Sequence, residues 1–143
     1  MTPAQDFSPF QPVLMGFDPG RDKCGVAVMG LDMKLHYHQV IPAKEAIATI
    51  QALHQKFSIS LLVMGDQTTA RHWKEQLNRE TPLSVVMVDE RYSSLEARDR
   101  YWQMYPPKGF SRLLPHGLRQ PPRPVDDIVA IILLERYFKR LVA

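Results

Sequence analysis

Three apolar runs, over residues 13–17, 24–29 and 35–41, are separated only by residues 18–23 and 30–34. That spacing limits the fold more than any other feature. Parallel neighbours need a crossover of about a dozen residues or more, so runs this close pair as antiparallel strands. Asp18-Pro19-Gly20 and Gly30-Leu31-Asp32 supply turn chemistry at the joins. The chain therefore opens with an antiparallel meander. Residues 1–12, containing Pro and Gln and lacking periodicity, are expected to form a flexible arm ahead of it.

The rhythm then changes. Ile47, Ile50, Leu53 and Phe57 recur at helical spacing and predict an amphipathic helix over 43–57, behind Pro42. Residues 61–64 predict a strand, 70–80 a helix and 84–88 another strand. Ser93 and Glu96 have the spacing of a capping box, which opens a helix ending near Met104. Half of the 12 prolines fall in 105–124, which reads as a loop. A last helix, from near Pro124 to near Leu141, is apolar around most of its circumference and is expected to be buried. Strands alternating with helices require right-handed crossovers and a parallel portion of sheet. The expected fold class is α/β: a mixed five-stranded sheet, antiparallel over strands one to three, then parallel βα units, with helices on both faces. Residues 13–141 are expected to form one domain, because no repeat or linker divides them and 143 residues suit one core.

Composition removes several function classes. The longest apolar run, Ile128 to Leu134, is far too short to cross a bilayer. A single Cys excludes an internal disulfide framework and suits a reducing compartment. The first residues lack the basic and apolar regions of a secretion signal, so a cytoplasmic protein with no membrane partner is expected. Charge is lopsided. From residue 91 onward ten basic side chains stand against five acidic ones, and no carboxylate falls between Asp99 and Asp126. Such a stretch suits a polyanion such as nucleic acid, and a solvated loop has the same appearance.

Three acidic positions fall at element ends. Asp18 closes the first strand, Asp89-Glu90-Arg91 the fifth, and Asp126-Asp127 opens the final helix. Sites in open α/β sheets collect outside the carboxyl ends of strands, where these acids could converge. Converging carboxylates repel one another, and a divalent cation relieves that repulsion; hard oxygen donors select Mg²⁺ or Mn²⁺ over zinc. Each acid also has a local use, in an Asx turn, in pairing with Arg91 or at the helix dipole.

The same positions carry a family resemblance. Residues 18–27, Asp18-Pro19-Gly20 through Gly25-Val26-Ala27, resemble the D-x-G-x-x-x-x-G-V-A motif of the YqgF/RuvX family. Asp89-Glu90-Arg91-Tyr92-Ser93-Ser94-Leu95-Glu96-Ala97 resembles its D-E-R-x-[ST]-[ST]-x-E-A segment, and Val125-Asp126-Asp127-Ile128-Val129-Ala130 its closing V-D-x-x-A-A helix. The resemblance spans roughly residues 13–141 and implies an RNase H-like fold. It also implies a metal-dependent nuclease, akin to Holliday-junction resolvases and associated with processing the 5′ end of precursor 16S rRNA. Carried over by position, the catalytic and metal-binding carboxylates are Asp18, Glu90 and Asp126, holding Mg²⁺ or Mn²⁺, with Asp127 as an adjacent spare. In this reading Asp18 bridges two cations about 3.5–4 Å apart. One segment departs from the family. After the fourth strand, Gly65 leads into Asp66-Gln67-Thr68-Thr69-Ala70, shorter than the usual G-L-P-x-x-x-x-G loop and similar to the turn of the YqgF-like domain in Tex proteins. It places Asp66 at another strand end, as a further candidate ligand or as an N-cap.

Candidate nucleic-acid contacts are Lys23 in the first turn, Arg91, and Lys108, Arg112, Arg119 and Arg123 of the Pro-rich loop. Tyr105 and Phe110 interleave with these charges as stacking surfaces, whereas Trp102, seven residues past Leu95, reads as core. Gly20 and Gly25 suit a positive φ or a close backbone approach. His36 and His38, two apart on a strand, are expected to share a face; they lack partners for a zinc site. Cys24 reads as a small buried hydrophobe. Two functions compete: an endonuclease on pre-rRNA or branched DNA, and a nucleic-acid-binding module of the same fold that cleaves little. Cleavage of a four-way junction would further require a homodimer.

Overall fold

Alternation along β1 (Val13–Asp18) organises the molecule, in a computed structural model that describes residues 11–67 and 69–142. The expected arm lies, over residues 1–10, outside the described residues. Val13, Met15 and Phe17 enter one core, while Leu14 enters a second core on the opposite face, where Gly16 meets a helix. Strands are entirely buried only when both faces are covered, and all six residues of β1 are buried.

β1 is the middle strand of five, in the order β3-β2-β1-β4-β5. β2 (Lys23–Gly30) is antiparallel to β1, and β3 (Leu35–Pro42) is antiparallel to β2. β4 (Leu61–Gly65) lies parallel to β1 on its other side, and β5 (Val85–Val88) lies parallel to β4. This is the mixed sheet expected from the spacing of the runs. α1 (Ala46–Phe57) returns the chain from β3 to β4, and α2 (Ala70–Glu80) joins β4 to β5. Ile50, Leu53, Phe57 and Leu77 of these helices cover the Met15 and Phe17 face. α3 (Ser93–Met104) and α4 (Asp126–Val142) cover the other. The chain leaves β1 on one side and comes back on the other, so the carboxyl end of β1 is the switch point of the sheet.

α4 is the central helix of the second core. Residues Asp127 to Leu134 are buried without a break, each large aliphatic side chain contributing roughly 1.5–3 kcal/mol by leaving water. It sits unusually close to the sheet. A Cβ on Gly25 would overlap the Asp126 carbonyl, and one on Gly16 would overlap the carbonyl of Ala130, one turn further along. The expected role of Gly25 is thus met as close approach; its φ is not positive. A two-pronged ion pair, Arg100 Nη1 and Nη2 donating to Glu135 at 2.9 and 2.7 Å, ties α3 to α4.

Two local expectations are corrected. The capping box at Ser93 and Glu96 does not form. The residue ahead of α3 is Tyr92, held at φ +62°, with no side-chain cap, and Glu96 pairs instead with Arg136 of α4 at 2.5 Å. His36 and His38 do not share a face. The β2–β3 register shifts between Val28 and Met29, which pair with Tyr37 and Leu35 and leave His36 as the extra residue of a bulge. His38 then reaches α4, while the His36 ring lies 6.0 Å from Phe57 of α1. Trp102 and Cys24 pack as expected, against the second core and within the first.

The seating of α4 is testable. Gly25→Ala should destabilise the chain by about 2–3 kcal/mol in urea unfolding, because the opposing atom is backbone and cannot rotate away. Gly117→Ala, where an added Cβ meets nothing within 4 Å, should stay within about 0.5 kcal/mol of wild type.

Candidate active site

The row of residues across the carboxyl edge of the sheet explains how three distant acids meet. Asp18 has the parity of Leu14 and Gly16, so its side chain lies on the α4 face. Its cross-strand partner on β2 is Gly25, over which the first residue of α4, Asp126, is seated. On the other side, the β1–β4 register ends at Phe17↔Met64, which brings Gly65 alongside Asp18. A Cβ at Gly65 would overlap the Glu90 carboxylate. Two glycines thus clear the space flanking Asp18, one for a helix terminus and one for a carboxylate.

The electrostatics follow from that crowding. Asp18 is only 7% exposed; burial first, then repulsion from Asp126 and Glu90, push its carboxyl up to about 8. Asp126 acts on Asp18 at close range as well as through its charge, so the two carboxyls titrate as a coupled pair. Burial also raises Asp126, an effect opposed by its own backbone, by Asp18 and by nearby Lys23. Glu90 is pushed up to about 7, by burial and then by Asp66, against the lowering influence of Gln67 and Arg136. Gln67 Nε2 donates to Glu90 Oε2 at 2.7 Å, whereas Oε1 is buried without a hydrogen-bond partner among the described residues. Among the described residues, no three His, Cys, Asp or Glu side chains are grouped to hold a metal ion as they stand. What the set can do is release protons and offer hard oxygen donors to a cation.

Asp127 is not brought to this group. It is 2% exposed, with Oδ2 held by His38 Nδ1 at 2.6 Å and Oδ1 accepting from Arg123 Nη1 at 3.0 Å. Successive helical residues point about 100° apart, so Asp127 turns inward as Asp126 faces the edge. Asp66 is exposed beyond β4 and acts on Glu90 through charge.

The basic candidates divide into anchored and free. Arg123 is committed to Asp127 and to the Pro124 carbonyl at 2.6 Å, and it stacks over Tyr101 and Tyr105. Arg119 donates to the carbonyls of Ser111 and Arg112 and braces the Pro-rich segment. Arg91, Lys108 and Arg112 are exposed, and their side chains make no hydrogen bond or ion pair with other described residues; exposed Lys23 stands beside Asp126. Tyr105 and Phe110 are exposed, as a stacking role requires, Phe110 at 84%. Sequence reasoning missed Gln67, His38 and Tyr92. Gln67 carried one signal, its place just past a strand end; the partnership of His38 with Asp127 spans 89 positions and left none.

Residues 12–140 match the family described as RuvX, Holliday junction resolvase. The chain belongs to this family. Relatives of this RuvX chain include proteins named "Putative pre-16S rRNA nuclease". That of Legionella pneumophila (strain Paris) is 31% identical, covering 90% of this chain and 96% of its own. That of Hahella chejuensis is 26% identical, covering 88% and 83%. Among solved structures, the large terminase nuclease from thermophilic phage G20c aligns with a TM-score of 0.53 at 16% identity, over 89% of this chain and 82% of that one. The RuvX chain has an RNase H-like fold. No helix among its described residues is long and apolar enough to cross a membrane.

Asp18 binds its proton more tightly in the folded RuvX chain than an unfolded chain does. The stabilisation this gives is complete below the ordinary Asp value and is lost as pH rises toward about 8. In EDTA, Asp18→Asn should therefore gain stability over wild type between about pH 4 and 8, by roughly 2–5 kcal/mol, and level off above. A difference that stays flat with pH in urea titrations would sink this account of the site.

Proposed function

We propose that this chain is a divalent-cation-dependent endonuclease for structured nucleic acid, with Asp18, Glu90 and Asp126 as its catalytic carboxylates. The observation that carries the reading is the meeting of these three acids at the switch point, in a chain of a nuclease family. The residues suit Mg²⁺ or Mn²⁺: every donor is a hard oxygen, Glu90 Oε1 is buried without a hydrogen-bond partner among the described residues, and burial with carboxylate repulsion holds a proton on Asp18 that a cation would replace. Bound there, such ions, two in the reading by family, supply an activated water and charge neutralisation at the leaving oxygen of an in-line displacement.

The remaining steps belong to side chains. Asp18 gives up the proton that burial and its acidic neighbours hold on it, which sets a dependence on pH up to about 8. Gln67 holds Glu90 by one oxygen and leaves the other without a hydrogen-bond partner among the described residues. His38 and Arg123 hold Asp127, and through the helix backbone this aims Asp126 at Asp18. Lys23, Lys108 and Arg112 are free to meet phosphates, and Phe110 a base. The names of the relatives favour precursor 16S rRNA as substrate, and hence a cytoplasmic place of work. The family description makes branched DNA the second choice, for which two copies of the chain would act together.

Wild type should cleave labelled pre-16S 5′-leader RNA with Mn²⁺ and not with EDTA. Asp18→Asn should lose more than about 100-fold of that activity and retain binding. Binding without metal-dependent cleavage would identify a nucleic-acid-binding module instead, and preference for a four-way DNA junction would transfer the substrate to branched DNA. Lys108→Ala with Arg112→Ala should flatten the slope of log K against log salt by about 1.5–2, and an unchanged slope would remove the Pro-rich segment from the interface.

A further inference from the structure

On the far side of Glu90 lies a feature that the carboxylates do not use. Glu90 turns toward Gly65 and Gln67, while its neighbours Asp89, Arg91 and Tyr92 turn toward the later part of α4. With Val88, Arg136 and Arg140 they line an open cleft of about 390 Å³, within the size range of ligand sites. Three arginines and one aspartate are among its lining residues, and the carboxylate of that aspartate is engaged, Asp89 Oδ1 accepting the Arg91 backbone N–H at 2.9 Å. Arg136 is fixed in place, donating to the Asp89 carbonyl at 2.8 Å and to Glu96 at 2.5 Å. Arg140 lies over the Tyr137 ring with a long 3.3 Å contact to the Met87 carbonyl. The Arg91 side chain makes no hydrogen bond or ion pair with other described residues, so its charge is open to a ligand.

Tyr92 supplies the second, independent observation. It is a bulky residue at φ +62°, ψ +12°, a conformation that L side chains avoid, and it is 69% exposed. It sits in a turn closed by the Ser93 N–H donating to the Glu90 carbonyl at 3.0 Å, with no side-chain cap on the helix that follows. Backbone strain at an exposed aromatic beside a catalytic segment is a mark of function. The strain holds the ring at the mouth of an arginine-lined cleft.

We propose that this cleft is a second nucleic-acid subsite, in which Arg91 and Arg140 take a backbone phosphate, Arg136 frames the wall and the Tyr92 ring stacks on an adjoining base. It rests on the nuclease reading and extends it, giving the strand a path on the β5 side of the carboxylates in addition to the Pro-rich segment on the α3 side. Asp89 and Arg91 flank Glu90 in the chain, so the subsite engages nucleic acid close to the bond to be cut. Stacking on a ring reads no sequence, so the subsite holds single-stranded nucleic acid with little base preference.

The test is binding of fluorescein-labelled oligoadenylate RNA in EDTA, measured by anisotropy in an Asp18→Asn background that cannot cut. Tyr92→Gly, which removes the ring and relieves the strained φ, should weaken binding about tenfold while leaving the urea midpoint unchanged or raised. Tyr92→Phe should bind as its parent does. Arg91→Ala with Arg140→Ala should weaken binding and lower the salt slope by about 1–2. If Tyr92→Gly fails to fold, the exposed arginine pair decides the matter alone. Parental affinity and salt slope in these variants, with cleavage by the wild-type chain intact, would overturn the subsite and leave the nuclease reading standing. Failure of the Asp18→Asn parent itself, and of wild type, to bind any nucleic acid would overturn both.

Discussion

The seat of α4 on β1 and β2 is the contact from which the rest of the site follows. Helix backbone rests against strand backbone at Gly16 and Gly25, with no side chain between them. A helix held that close buries one continuous apolar stretch against the sheet and delivers its first residue to the carboxyl end of β1. Asp126 is thereby brought close enough to Asp18 to raise its affinity for a proton, although the two lie at opposite ends of the chain. Any residue larger than glycine at either position would lift the helix and separate the pair.

That closeness carries an electrostatic cost, and the structure divides it between neighbouring acids. Asp126 and Asp127 are adjacent, yet one is set against Asp18 at the sheet edge while the other has its oxygens bonded by His38 and Arg123 beneath the helix. A buried carboxylate with both oxygens satisfied makes a firm anchor; a partly exposed one forced against a second carboxylate makes a reactive group. The anchor fixes the start of the helix, and the tension is left where a cation or a proton can relieve it. Arg123 extends the same network outward to Tyr101 and Tyr105, linking the site to the base of the Pro-rich segment.

Much of this architecture is legible in the linear chain. The three closely spaced runs required an antiparallel meander, and the alternation of 43–88 required parallel strands. The acids at three element ends marked the region where they meet. The misreadings share one cause, that short-range pattern was taken to decide what distant partners decide. Ser93 and Glu96 have cap spacing, but Arg136 draws Glu96 to α4 and leaves Tyr92 in a strained turn. His36 and His38 have the parity of one face, but a bulge on pairing with β2 sends them to opposite sides. Arg119 and Arg123 read as free charges until the segment folded back onto them.

Periodicity, turn chemistry and the order of the elements belong to the sequence by itself, because each depends on side-chain spacing within a few residues. They determined the sheet, the two helical layers and the set of acids available. Which acid of an adjacent pair faces the edge depends on the rotation of α4, and that rotation is set by glycines on strands about a hundred positions earlier. The raised affinity of Asp18 and Glu90 for protons is likewise tertiary, since burial and repulsion exist only once the strands and α4 have closed around them.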